Sequence, residues 1–467
     1  DMPYGIYTVH QVSGWEGSEL MPDFDVFISQ NGATYRYLIN NAPFNSFIKI
    51  VKQDAETGKT IPYAGAGFKI YDPDGNPVTM TFTYPTSTNI DVFYTDDEGS
   101  LITPEKLPYG RGYSIVEVQA PYGYVLDETP IYFDVTQENS IEESGVTIIK
   151  VNKKNFAQKG TIAVEKTGEV FFGVSVSGGI DESGNELPII YQPQYEKRGL
   201  PGAVYEVVAA EDIITPDGTV RNHKGDVVDT IITDENGIAM SCELYLGEYE
   251  VREVTAPNGM VLNPEFRFVE LVYAGQNVAV TETATSFENE RQKVEISLAK
   301  SIEQNERFDI GTNGEMKNIT FGLFSAEEIV STSGTFIPAD GLIEIVSLNE
   351  DGTATIKTDL PYGRYYVQEL ATDSHYKLSD AKYPIIFEYV GQDTAVVKIA
   401  VNDGKAIKND LIYGSVSGKK VDEDGNALGG AMIGLFRTDD GEFTKENALM
   451  TTTSAEDGSF SFESIPY

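Results

Sequence analysis

Hydrophobic and polar residues alternate in short stretches along the whole chain, and glycine or proline separates one stretch from the next. Alternation of this kind places the hydrophobic side chains of a β-strand on one face of a sheet, because successive residues point to opposite faces. The period of 3.6 residues that marks an amphipathic helix is not convincingly present. The pattern therefore predicts an all-β protein built from short strands and frequent turns.

Four kinds of stretch recur in a constant order. A strand ending in lysine comes first, followed by a strand that begins with small residues, an acidic turn with glycine, and a strand in which an acidic or amide residue follows a tyrosine by four positions. The tyrosine strands are 2–11, 107–118, 244–254 and 360–370 (MPYGIYTVHQ, LPYGRGYSIVEV, LYLGEYEVREV and LPYGRYYVQEL). The lysines Lys52, Lys166, Lys300 and Lys420 are separated by 114, 134 and 120 residues. This period has the size of a domain, and we expect a β-sandwich for each repeat.

The repeat divides the chain into five segments. They are the C-terminal part of a repeat at 1–44 (N-terminal partial module), 45–157 (first complete module), 158–290 (second complete module), 291–411 (third complete module), and the N-terminal part of a repeat at 412–467 (C-terminal partial module). Since the chain begins and ends at the same point of the repeat, we expect it to be a segment of a longer protein. Insertions extend the second complete module at 169–198 and the first at 76–95. They are interpreted either as ligand-contacting loops or as longer hairpins.

An asparagine lies eleven residues before each repeated lysine, at Asn41, Asn155, Asn289 and Asn409. This constant spacing predicts that the last strand of one module leads almost directly into the first strand of the next, in a semi-rigid array. Each complete module then contains an ordered set, namely Lys52, Glu117 and Asn155; Lys166, Glu253 and Asn289; and Lys300, Glu369 and Asn409. If the first and last strands of a module are neighbours, the three side chains of a set can meet inside the sandwich.

These strings resemble the B-type repeat domains of Gram-positive collagen-binding adhesins, which also occur in pilin shafts and large cell-wall proteins. The resemblance extends over the whole chain and is carried by GAVYEV, TDENG, LPYGRYYVQE, YEVREVTAPNG and YGYVLDETP. It implies a prealbumin-like, Ig-like β-sandwich in each module of an elongated array. It also implies a spontaneous Lys–Asn isopeptide bond, assisted by Glu117, Glu253 or Glu369.

The residue types suit that chemistry. Burial lowers the pKa of a lysine, so that its neutral amine can act as a nucleophile. Burial raises the pKa of a carboxyl group, which can then polarise the asparagine carbonyl and carry protons. No cofactor is expected, because folding itself supplies the proximity. A single lysine on a strand is usually exposed to solvent, but three ordered sets with a constant asparagine spacing favour the cross-link.

The first complete module offers two candidate asparagines, and each partial module contains only part of a set. Asn152 competes with Asn155, since both lie in VNKKN, and only the spacing favours Asn155. In the N-terminal partial module Gln11 stands where glutamate is expected, so that a bond at Asn41 is doubtful and its lysine would lie outside the chain. Lys420 is the corresponding candidate of the C-terminal partial module.

Composition restricts the partners. The chain has 34 Lys and Arg against 73 Asp and Glu, a formal net charge of −39, which argues against nucleic acid or an anionic membrane surface as a partner. With Cys242 as its one cysteine it cannot form an intrachain disulfide. The histidines His10, His223 and His375 have no ligand spacing, and no metal site is expected.

The expected function is structural. We expect a stalk or spacer segment of an extracellular, cell-wall-attached surface protein, monomeric in isolation, whose parent protein contacts a host matrix protein or glycan through other parts. Two alternatives are a ligand-binding adhesin module that uses the inserted loops and a pilin shaft polymerised by sortase. Neither a pilin lysine motif nor a Leu-Pro-x-Thr-Gly signal is recognisable, which weakens the pilin alternative. An enzyme with external substrates is not expected, because no catalytic cluster for one is visible.

Overall fold

The computed structural model describes residues 1–83, 86–180 and 184–467, and the regular secondary structure of these residues is almost entirely β-strand. The helical segments among them are three single-turn 3₁₀ helices, Glu306–Phe308, Glu315–Asn318 and Val401–Gly404. Within these ranges, no helix is both long and apolar enough to span a bilayer. The all-β prediction is confirmed.

The strands follow one another in the order of the repeat. The N-terminal partial module has β1 (Gly5–Val9) and β2 (Phe24–Ile28). The first complete module has β3 (Asn45–Asp54), β4 (Gly67–Tyr71), β5 (Met80–Phe82), β6 (Thr88–Ile90), β7 (Phe93–Tyr94), β8 (Ser100–Ile102), β9 (Leu107–Pro108), β10 (Gly110–Gln119), β11 (Ile131–Val135), β12 (Ile141–Glu143) and β13 (Val146–Asn155).

The second complete module is the one with the longest strands. It has β14 (Lys159–Ile180), β15 (Glu186–Gly199), β16 (Val204–Ala209), β17 (Ile213–Ile214), β18 (Val220–Asn222), β19 (Val227–Ile232), β20 (Ile238–Met240), β21 (Leu244–Tyr245), β22 (Gly247–Thr255), β23 (Phe266–Leu271) and β24 (Val280–Asn289).

The remaining strands belong to the third complete and C-terminal partial modules. The former has β25 (Lys293–Ile302), β26 (Thr320–Ser325), β27 (Ile329–Val330), β28 (Phe336–Ile337), β29 (Leu342–Ser347), β30 (Thr353–Ile356), β31 (Gly363–Ala371), β32 (Lys382–Phe387), β33 (Val396–Ala400) and β34 (Ile407–Asn409). The latter has β35 (Tyr413–Lys419), β36 (Met432–Leu435), β37 (Met450–Thr453) and β38 (Ser459–Pro466).

Each complete module is a sandwich of two sheets. In the first, one sheet has the order β12-β13-β3-β8 and the other β11-β10-β4-β7. The first strand of the module pairs in parallel with the last, β3 with β13, β14 with β24, and β25 with β33 and β34. On its other side the first strand pairs antiparallel with the strand after the acidic turn, β8, β20 or β30. The strand that carries the repeated tyrosine and glutamate, β10, β22 or β31, lies in the opposite sheet.

The core of each sandwich lies between its two sheets. The alternating apolar residues of both sheets meet there, as the period of two predicts. Buried residues of these cores include Ile48, Phe68, Ile115 and Val151 in the first complete module, Ile162, Tyr205, Val251 and Phe287 in the second, and Ile296, Phe321, Val367 and Ile407 in the third.

Successive modules are joined closely. Asn155 ends β13 and Lys159 begins β14, and the next joint repeats this arrangement. A glutamine of the following module reaches back across each joint: Ala120 N donates to Gln276 Oε1 at 2.8 Å, and Ala256 N donates to Gln392 Oε1 at 2.9 Å. These contacts leave little free linker between modules.

The two insertions are built as strands. Residues 169–198 form a long antiparallel hairpin of β14 and β15, with pairing from Thr167↔Gly199 out to Ile180↔Glu186. Residues 181–183 lie outside the described residues. Residues 76–95 contain the small β5–β6 hairpin and β7, with 84–85 outside the described residues. The strand pairing agrees with the longer-hairpin interpretation of both insertions, and contact with a ligand stays a prediction.

Candidate functional site

The parallel pairing of first and last strands brings each lysine beside its asparagine. In the first complete module β3 and β13 pair up to Asp54↔Asn155, with Lys52 opposite Lys153. Paired residues, and residues two positions apart, share a face of a sheet, so Lys52, Lys153 and Asn155 point to the same side. The glutamate comes from the opposite sheet and completes the cluster from the other side.

The first cluster consists of Lys52, Glu117 and Asn155, each at most 2% exposed. Lys52 Nζ lies 2.6 Å from Glu117 Oε1 and donates to Asn155 Oδ1. Asn155 Nδ2 donates to Glu117 Oε2 at 2.6 Å, and the backbone N–H of Asp127 donates to the same oxygen at 3.1 Å. Each of the three side chains therefore contacts the other two.

The second cluster, Lys166, Glu253 and Asn289, repeats this geometry. Lys166 Nζ lies 2.9 Å from Glu253 Oε1 and donates to Asn289 Oδ1. Asn289 Nδ2 lies 3.0 Å from both carboxylate oxygens, and Asn263 N donates to Glu253 Oε2 at 2.8 Å.

The third cluster, Lys300, Glu369 and Asn409, has the same contacts. Lys300 Nζ lies 3.0 Å from Glu369 Oε1 and 2.5 Å from Asn409 Oδ1. Asn409 Nδ2 donates to the two Glu369 oxygens at 2.8 and 3.0 Å, and Ser379 N donates to Glu369 Oε2 at 3.0 Å. In all three modules, then, the asparagine amide is held with its oxygen towards the lysine and its nitrogen towards the glutamate.

The glycine of each acidic turn lies against the backbone of the lysine and accepts its N–H. Lys166 N donates to Gly237 O at 2.7 Å, and a Cβ atom on Gly237 would lie 2.3 Å from Lys166 O. Gly237 also has a φ of +79°, which L side chains rarely adopt. Gly352 stands in the same relation to Lys300, with the corresponding distances 2.8 and 2.5 Å. The turn thus fixes the position of the lysine backbone.

An aromatic ring forms one wall of each cluster. Directly opposite the glutamate on the adjacent strand lies Phe68, Tyr205 or Phe321. The lysine Nζ lies 5.8, 5.6 and 5.7 Å, respectively, from the centre of that ring. The sequence analysis did not assign these residues to the site, although each stands at the same place in the recurring small-then-apolar strand.

Burial lowers the pKa of all three lysines. For Lys52 burial outweighs the opposing effect of Glu117 and lowers the pKa to about 8. Burial likewise lowers the pKa of Lys166 and of Lys300, in each case against the attraction of the neighbouring glutamate. A lowered pKa increases the fraction of neutral amine, which is the nucleophilic form.

A second buried lysine distinguishes the first cluster. Lys153 is 2% exposed, and its Nζ lies 2.8 Å from Asp127 Oδ2. Its positive charge lowers the pKa of Lys52 further, after the larger effects of burial and Glu117. The sequence analysis missed Lys153. The signal was a charged residue two positions before the asparagine, where the other modules have Phe287 and Ile407.

The remaining candidates lie outside complete clusters. Asn152 is exposed, whereas Asn155 is buried against Lys52, so the geometry favours Asn155. Asn41 is half-buried and its Nδ2 donates to Gln11 Oε1 at 3.3 Å, without a lysine in the contact. Lys420 is exposed, and its Nζ donates to the carbonyl of the following residue at 3.0 Å.

Comparison with known families gives one match. The family described as SpaA: Prealbumin-like fold domain matches residues 46–150, 189–285 and 304–405, one range inside each complete module. No curated protein sequence matches the chain.

Several solved structures are similar to the chain at low identity. The Bacillus anthracis TIE protein is 22% identical, with 86% of this chain and 58% of that chain covered and a TM-score of 0.45. BcpA, the major pilin subunit of Bacillus cereus, is 14% identical, with 79% and 100% covered and a TM-score of 0.27. The pilus adhesin SpaC of Lactobacillus rhamnosus GG is 11% identical, with 85% and 47% covered and a TM-score of 0.28. The chain thus spans little more than half the length of the TIE protein.

Proposed function

The chain belongs to the family of SpaA prealbumin-like fold domains, and from this premise we propose that it is a load-bearing segment of an extracellular, cell-wall-attached stalk. Membership in this family supports a role in a pilin shaft or an adhesin. The observation that carries the finer proposal is the buried contact of lysine, glutamate and asparagine, repeated in three modules. Each cluster forms an intramolecular isopeptide bond that ties the first strand of its module to the last.

The reaction joins Nζ of the lysine to Cγ of the asparagine and releases ammonia. In the reacting pair the shared proton lies on the glutamate, and the neutral amine attacks Cγ of the asparagine. One Nζ proton then passes through the glutamate to Nδ2, the Cγ–Nδ2 bond breaks, and the glutamate is left protonated as it began. The distances from glutamate oxygens to Nζ and Nδ2, between 2.6 and 3.0 Å, support this proton path. The products are one amide and one molecule of NH₃.

The bond would strengthen a protein that has no disulfide. The linked positions are separated by 103, 123 and 109 residues in the three modules. By analogy with a disulfide, closing a loop of this size destabilises the unfolded chain by about 5 kcal/mol. The bond also has a mechanical effect, which we expect to matter more than this free energy. Tension along the array passes directly through the covalent bond between the first and last strands of the module.

Peptide mapping of the full chain tests the chemistry. We expect linked peptides for Lys52–Asn155, Lys166–Asn289 and Lys300–Asn409 in the wild type. Glu253→Gln removes the proton carrier while keeping the side-chain shape, so it abolishes only the Lys166–Asn289 peptide.

Glu248→Gln is the matched control, since Glu248 is an exposed residue on the same strand, β22. It should leave all three linked peptides in place. Persistence of the Lys166–Asn289 link in Glu253→Gln would exclude the glutamate's role, and absence of linked peptides from the wild type would exclude the bond itself.

A further inference from the structure

The paired parts of β14 and β15, residues 167–180 and 186–199, are here called the splint hairpin and project beyond their own module. Strand β14 continues 14 residues past Lys166, to Ile180, which corresponds to roughly 45 Å at about 3.3 Å per residue. In the first complete module residues 53–60 take the place of this hairpin. An equivalent hydrogen bond joins the two ends of the inserted segment in each module. Ile61 N donates to Lys52 O in the first complete module and Leu200 N donates to Lys166 O in the second, each at 2.9 Å.

The splint hairpin lies along the third complete module, and its backbone forms hydrogen bonds with that module. Ser333 N donates to Phe172 O at 3.0 Å, and Val174 N donates to Thr335 Oγ1 at 3.0 Å. Further along, β15 pairs in parallel with β29 at Ile190↔Leu342. The sheet of the third module, β29-β26-β31-β32, therefore continues into β15 and β14 of the second.

Apolar side chains of the hairpin also join the neighbouring core. Phe171, Val174 and Tyr191 are partly buried and pack against the hydrophobic core of the third complete module. Burial of apolar area against another module stabilises one relative orientation of the two modules. Polar contacts at the rim of an interface stabilise such an orientation only weakly.

An arginine in the joint completes the contact. Arg291 lies between β24 and β25 and is 9% exposed. Its guanidinium is centred 3.4 Å from the ring centre of Tyr195, and its Nη2 lies 2.5 Å from Asp359 Oδ2. At the matching position two residues after the asparagine, the other modules have Ala157 and Leu411. The arginine thus belongs to the one joint that the hairpin spans.

We propose that the splint hairpin is an interdomain interaction surface whose partner is the face of the third complete module formed by 331–335 and β29, and that it holds these two modules at a fixed angle. The surface that the insertion offers for binding is covered by the next module of the same chain. Its function is to stiffen one joint of the array, and this function does not depend on any isopeptide bond.

Distance measurement between paired spin labels in the full chain tests this proposal. With Cys242 replaced by serine, labels are attached to cysteines at the exposed positions Lys224 and Lys357, one in each joined module. A second pair, at Glu98 and Lys224, reports on the joint between the first and second complete modules. We expect a narrow distance distribution for both pairs in the otherwise wild-type chain.

The test variant replaces 167–199 by the sequence of 53–60, which preserves the closing hydrogen bond. We expect the Lys224–Lys357 distribution to become at least twice as broad, while the Glu98–Lys224 distribution stays unchanged. The double variant Tyr195→Ala/Arg291→Ala keeps the hairpin and should broaden the same distribution, so the test stands even if the replacement disturbs folding. Val176→Ala, at an exposed position of the hairpin, is the control. Distributions for the double variant as narrow as those of the control would overturn the proposal.

Discussion

Replacing Lys52 by methionine should convert an inextensible module into one that unfolds under tension. Methionine is unbranched and apolar, and it fits the aromatic surroundings of Lys52 without supplying a nucleophile. Lys52 lies near the end of β3 and Asn155 ends the parallel strand β13. With the isopeptide bond in place, tension applied to the two ends of the module passes from Lys52 to Asn155 and bypasses the residues between them.

The released length follows from the sequence separation. Lys52 and Asn155 are 103 residues apart, and each residue extends by about 3.3–3.6 Å, so the unlinked module gains roughly 340–370 Å when it unfolds. The linked module gains none of this length. The variant also loses the entropic stabilisation of the closed loop, about 5 kcal/mol by the disulfide analogy.

Single-molecule force spectroscopy on the full chain measures this length directly. The wild type should show no extension step of that size from the first complete module, and Lys52→Met should show one. Lys154→Ala, at an exposed position next to Asn155, should behave as the wild type. If the wild type releases the same length as Lys52→Met, the load path is not covalent and the reasoning is refuted.

Two further predictions concern the surroundings of the clusters. Gly237→Ala should destabilise the second complete module by about 1–3 kcal/mol, because the new Cβ atom would lie 2.3 Å from Lys166 O at a residue with a positive φ. Thermal unfolding measures this loss of stability, and peptide mapping should show less of the Lys166–Asn289 cross-link. In Asn155→Ala, which cannot form the first bond, the folded pKa of Lys52 at about 8 lies below its ordinary value of 10.5. The unfolded state then binds more protons between these two values, so the free energy of unfolding should rise by about 3 kcal/mol as the pH increases through this window. Urea denaturation of Asn155→Ala should show this rise, and Lys52→Met/Asn155→Ala should lack it.

Features that recur in every module could be predicted from the sequence. Alternation and turns predicted the all-β sandwich, because strand faces follow directly from a period of two. The spacing between asparagine and lysine selected Asn155 over Asn152, and the structure brings Asn155, not Asn152, against Lys52.

Features that depend on tertiary contacts between distant residues were missed. The pairing of Lys153 with Asp127 is specific to one module, so no repeat pattern indicated it. The contact of Phe171 with the third complete module joins residues far apart in the chain, and the same alternating hairpin could equally have faced solvent. Only the fold determines which face of such a hairpin is covered.

The intact mass of the purified full chain tests the central claim most directly. Three isopeptide bonds predict a mass lower than the sequence mass by three ammonia molecules, and Lys52→Met, Lys166→Met and Lys300→Met should each reduce that deficit by one. A wild-type mass equal to that calculated from the sequence would contradict the account, because it would mean that the three buried clusters remain as unreacted side chains.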